Sequence, residues 1–148
     1  MDTQVLVTER VEAGKRFLEA LDAAKFPVAA ALWLFVKELE KWRYFVATSL
    51  VDEKGPLEAY RQLQSLLRQF ADDAHVTKLI LYDLSVVSPS DERVRLFRRV
   101  IDTGQNIRDV RLTDTVIAST VVDDVLIYRL DRKGVPASVP KLYRLESE

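Results

Sequence analysis

The chain has 148 residues, 48% of them apolar and 30% charged, and a formal net charge of −1. That is the composition of one ordinary globular domain, with enough chain to build a core without metal or disulfide, and its charge gives no global pull toward nucleic acid or acidic lipid. The absence of cysteine excludes disulfides, thiolate nucleophiles, zinc fingers and iron–sulfur clusters, and four isolated glycines exclude a glycine-rich phosphate loop.

The first helix is predicted from Thr8, with Glu9 and Glu12 in its opening turn, to about Lys25, where Pro27 disfavours helix at Phe26. Val11, Phe17, Leu18, Leu21 and Ala24 recur at helical spacing. Gly14 falls inside that pattern, where it either weakens the helix by about 1 kcal/mol or permits close packing against a sheet.

Residues 28–51 follow as strand, charged turn and strand, and they hold both tryptophans. The first run, 28–36, is continuously apolar, as befits a central strand covered on both faces. It is less than half the ~20 residues that a membrane-spanning helix needs. In the second run Trp42, Tyr44, Val46, Thr48 and Leu50 share one face. Trp42, just after the charged turn, is expected to be partly exposed and to mark an interface.

Asp52-Glu53-Lys54-Gly55-Pro56 reads as a turn into a second helix, with Leu57, Tyr60, Leu63, Leu67, Phe70 and Ala74 as its buried stripe. A third strand is expected over 78–87. Ser88, as cap before Pro89, then opens a third helix that runs to about Asp102, with Gly104 closing it. A short strand over 109–113 and a β-rich stretch over 116–130 follow, the latter interrupted at Asp123-Asp124. Residues 131–148 carry Gly134, Pro136 and Pro140 and read as an extended tail, docked or touching a partner through Leu142 and Tyr143.

The order is α-β-β-α-β-α-β-β. It predicts a single α+β domain over 1–130, with a four- to five-stranded mixed, largely antiparallel sheet and about three packed helices.

Chemistry is sparse. His75 is the only histidine, so a catalytic triad or a histidine zinc site is excluded. Acidic pairs stand at Asp52-Glu53, Asp72-Asp73, Asp91-Glu92 and Asp123-Asp124. Asp52-Glu53-Lys54 contains the acid-x-lysine spacing of metal-dependent nucleases, but its strand lacks the upstream acid. A basic patch over 93–111 comprises Arg93, Arg95, Arg98, Arg99, Arg108 and Arg111, with Arg95, Arg98 and Arg99 expected on one solvated helix face able to grip phosphates.

The leading expectation is therefore a non-catalytic soluble interaction or structural module that self-associates or binds a protein partner, cytoplasmic, without signal peptide, membrane span, metal or cofactor. The alternatives are nucleic-acid binding through the arginine patch, and a metal-dependent hydrolase or nuclease using Asp52, Glu53 and Lys54.

Overall fold

A computed structural model describes residues 6–69 and 82–132. It is an α+β arrangement built on one five-stranded mixed sheet in the order β3-β2-β1-β5-β4. Helix α1 (Thr8–Ala23) leads into the hairpin β1 (Ala30–Val36) and β2 (Lys41–Ala47). Helices α2 (Leu50–Lys54) and α3 (Pro56–Gln69) then precede β3 (Leu84–Val87), which runs parallel to β2. Helix α4 (Glu92–Arg98) leads to the closing hairpin, β4 (Val110–Ile117) and β5 (Thr120–Leu130).

The continuously apolar run becomes the middle strand, β1, antiparallel to β2 on one side and to β5 on the other. Strand side chains alternate between faces, so β1 feeds two separate cores. Ala31, Trp33 and Phe35 join Trp42, Tyr44 and Val46 of β2 beneath α1 and α3, which supply Phe17, Leu18, Leu21, Leu63 and Leu67. Ala30, Leu32 and Leu34 join Phe45 and Ala47 on the opposite face, where α4 adds Val94 and Phe97.

Gly14 is the point of closest approach between α1 and the sheet. Tyr44 donates its hydroxyl proton to the Gly14 carbonyl at 2.8 Å, and Trp33 Nε1 donates to the Arg10 carbonyl at 3.1 Å. Tyr128 of β5 donates to the Val11 carbonyl. Burial pushes the Tyr44 and Tyr128 hydroxyls above their ordinary titration range, so both remain donors.

Several sequence expectations shift. Strand β2 ends at Ala47, and the expected turn at 52–56 is occupied by the short helix α2, whose opening Leu50 amide donates to Thr48 Oγ1. Leu57 lies exposed at the start of α3, while Ala59, Leu63 and Leu67 are buried. Phe70 and Ala74 lie outside the described residues, as does the start of the expected third strand; Tyr82 is in an exposed turn and only Leu84–Val87 is strand. Asp91, rather than Ser88, caps α4, its carboxylate accepting from the Arg93 amide at 2.9 Å. That helix ends at Arg98, well before Gly104. The closing hairpin turns at Ala118-Ser119, and Asp123-Asp124 lies within β5. Asp131 and Arg132 belong to the domain: the Asp131 amide donates to the Ala29 carbonyl, and Arg132 Nε donates to the Arg98 carbonyl.

Candidate functional site

The arginines of the basic patch do not share one surface. Arg98 is fully buried; its guanidinium donates to the carbonyls of Pro89 and Asp131. It stitches α4 to the end of β5, a structural task, and the expectation that it lies on a solvated face is corrected. Arg111 has a different partner: its Nε and Nη2 donate to the two Asp124 oxygens, and its guanidinium lies 5.5 Å from the Trp42 ring. Trp42 belongs to the core beneath α1 and α3, so Arg111 sits on the face opposite α4. Arg108 is exposed in the loop before β4.

Arg93 and Arg95 of α4 remain together with Arg99, the residue that follows the helix. They line a hollow of about 520 Å³ together with Glu92, Leu96, Ala118 and Thr120. Asp91 braces Arg93 at 3.4 Å, and the Arg93 guanidinium lies 4.7 Å from the Phe45 ring. A second hollow shares Glu92, Arg93, Leu96 and Thr120 and extends toward Lys37 and Glu38 in the β1–β2 turn.

Burial of Arg98 has a consequence for any test of this patch. Arg98→Glu replaces a buried donor with a buried carboxylate facing two carbonyls, and is expected to cost about 3–5 kcal/mol. Arg95→Glu and Arg99→Glu, at partly or fully exposed positions, are expected to cost less than about 1 kcal/mol each. Urea denaturation of the three single variants checks this ranking; equal stabilities would contradict it.

The remaining candidates disperse. Trp42 is only 1% exposed, packed edge-on to Phe35 at 5.7 Å, so its expected exposure at an interface is corrected. Asp52 sits on α2, where both its oxygens accept from the Ser88 hydroxyl, at 2.8 and 3.1 Å. Among the described residues, no three His, Cys, Asp or Glu side chains gather in a way that could hold a metal ion. His75, Asp72, Asp73, Leu142 and Tyr143 lie outside the described residues. Asp83, buried at the start of β3, has its carboxyl pushed upward by that burial, against the pull of Arg10, Lys41 and Arg43. Arg10 lies 3.4 Å from it. These neighbours make it part of an ion-paired seam.

Two features escaped sequence reasoning. One is the pair Val116 and Val121, directly opposite each other near the tip of the closing hairpin and 65% and 67% exposed. The other is the wall that Ala118 and Thr120 give to the hollow beside α4. Both depend on where the hairpin turns. Ala118-Ser119 has neither the glycine nor the asparagine that announces a two-residue turn.

Among the described residues no helix is long and apolar enough to cross a membrane. No protein-family model, curated protein or solved structure matches the chain, so its own geometry carries the functional reading.

Proposed function

We propose that the protein is a non-catalytic interaction module that self-associates through the β4 edge of its sheet. The observation that carries this reading is the exposed Val116–Val121 pair beside that edge. Strand β4 pairs with β5 alone among the described residues, leaving a row of backbone donors and acceptors on its outer side. It is long for an edge and rich in β-branched residues: Val110, Thr113, Thr115, Val116 and Ile117.

The edge is protected over only part of its length. Asp114 adopts φ 47°, a left-handed conformation that interrupts regular pairing, and Arg111 places a charge farther along. Breaks in regular pairing and charges of this kind discourage edge-to-edge contact. Thr115–Ile117, together with Val121, has no such guard, and a second copy of the same edge would bury both valines in an isologous contact.

Light scattering across a concentration series tests the reading. Wild-type protein is expected to rise from monomer toward dimer mass. Val116→Lys is expected to stay monomeric with its stability changed by no more than about 0.5 kcal/mol, because the site is exposed in the monomer. A wild-type protein that stays monomeric throughout, or a Val116→Lys variant that dimerises as well, would contradict it.

A further inference from the structure

We propose that the C-terminal segment 133–148 of this chain docks back on its own domain, with Val135 and Val139 seated in the groove between α4 and the β4–β5 turn. The inference does not rest on self-association through β4.

The groove exists because one face of the sheet is thinly covered. The face beneath α1 and α3 lies under helices of 16 and 14 residues. On the opposite face the described residues place only α4, of 7 residues. A sheet face buries its apolar side chains against another layer, and so short a helix spans only about 10 Å of it. Two hollows of about 520 Å³ each lie along this helix and join through the walls that Leu96 and Thr120 give to both. Leu34, Val36, Leu96 and Val122 make an apolar stretch in the joined groove, and Val36 and Leu96 are only partly buried. Lys37, Glu38 and Asp123 lie around that stretch. An apolar centre within a polar rim is the anatomy of a docking surface.

The chain leaves β5 beside one end of the groove. The Asp131 amide donates to the Ala29 carbonyl, and Arg132 Nε and Nη2 donate to the Arg98 carbonyl at 3.1 and 2.9 Å. Arg99, the neighbour of Arg98, lines the groove. The segment therefore starts at the C-terminal end of α4. An extended chain covers about 3.3–3.6 Å per residue, so residues 133–136 already match the ~10 Å length of the helix.

The sequence of the segment suits such a seat. Val135 and Val139 each precede a proline, which biases them to extended conformations. In an extended chain Val135, Ala137 and Val139 share one face. Pro136 and Pro140 have no N–H, so they bring no donor to be stranded against an apolar wall. They also restrict the free chain, which lowers the entropy lost on docking. The tether selects this occupant over the same segment of a second copy. A short covalent connection gives a local concentration in the millimolar range, far above that of a second copy in dilute solution.

Amide hydrogen exchange of the full chain at low micromolar concentration, compared with a synthetic 133–148 peptide, tests this. The Ala137, Ser138 and Val139 amides are expected to exchange at least about tenfold more slowly in the protein than in the peptide. Thr120→Trp, which brings a bulky ring into the groove from an exposed position, should return them to peptide rates. Val135→Asp with Val139→Asp should do the same. Leu57→Trp, at the exposed start of α3 on the other face, should leave the protection intact. Peptide-like rates in the wild-type protein, or protection that survives Thr120→Trp, would overturn the proposal. So would protection that grows with protein concentration, the mark of a second copy's segment in the groove. The Thr115–Ile117 amides report self-association separately in the same experiment, so failure of either reading is distinguishable from failure of the other.

Discussion

Gly14→Ala is expected to destabilise the domain by about 2 kcal/mol, although alanine is the better helix former by about 1 kcal/mol. A Cβ at this position would stand 2.7 Å from Trp33 Nε1, 2.8 Å from the Tyr128 hydroxyl and 2.8 Å from Tyr44 Cε1. All three belong to large side chains locked in the core, so none can swing aside as a flexible surface group would. Relieving the clash means lifting α1 from the sheet. That lengthens the bonds from Trp33, Tyr44 and Tyr128 to successive helix carbonyls, each contributing about 1 kcal/mol. These losses exceed the gain in helix propensity. In a domain of this size the melting midpoint should fall by roughly 4–8 °C. Thermal and urea unfolding measure it, and a neutral or stabilising Gly14→Ala would show that α1 does not rest on the sheet as closely as described.

Asp22→Ala is expected to cost about 3 kcal/mol, more than Arg129→Met, although the two residues form one ion pair. The partners differ in exposure: the Arg129 side chain is 2% exposed and that of Asp22 37%. Arg129 Nη1 and Nη2 donate to the two Asp22 oxygens at 2.9 and 2.7 Å, and Nη2 also donates to the Gln105 carbonyl. Removing Asp22 leaves a guanidinium inside the protein with no balancing charge. Removing Arg129 leaves a carboxylate that water can reach, while methionine retains much of the apolar stem, so this change should cost about 1 kcal/mol. Asp22 also occupies the last turn of α1, where a carboxylate is disfavoured by the helix dipole. Its presence there is explained by Arg129. Chemical denaturation of both single variants and of the double variant measures the asymmetry. The double variant should match Arg129→Met, and the opposite ranking of the single variants would contradict the assignment.

The parts of the fold legible in sequence were those in which one local signal sufficed. The apolar run of β1 announced a central strand with two covered faces, and the periodicity of α1 marked Phe17, Leu18 and Leu21 as buried, though not that Ala24 is exposed; of the two roles the sequence left open for Gly14, the structure shows the close approach to the sheet. Boundaries failed where the local chemistry is ambiguous. Leu50 and Val51 suit a strand as well as a helix, so the end of β2 and the start of α2 could not be separated. The turn at Ala118-Ser119 carries neither glycine nor asparagine, and without that signal neither the valine pair nor the hollow could be located.

The candidate site was less legible than the fold because burial of long polar side chains is decided by distant chain. Arg98 has much the same local setting as Arg95 on the same short helix and Arg99 just after it. The carbonyls of Pro89 and of Asp131, just past the end of β5, accept from it in the interior. Trp42 follows the same logic, since Phe35 across the hairpin and Arg111 from β4 pack on its ring.

The proposal that copies of this protein meet through β4 is tested most directly by amide hydrogen exchange at increasing protein concentration. Protection of the Thr115–Ile117 amides is expected to grow with concentration, while the amides of β3, at the other edge of the sheet, keep constant rates. Exchange in β4 that is independent of concentration would contradict the account.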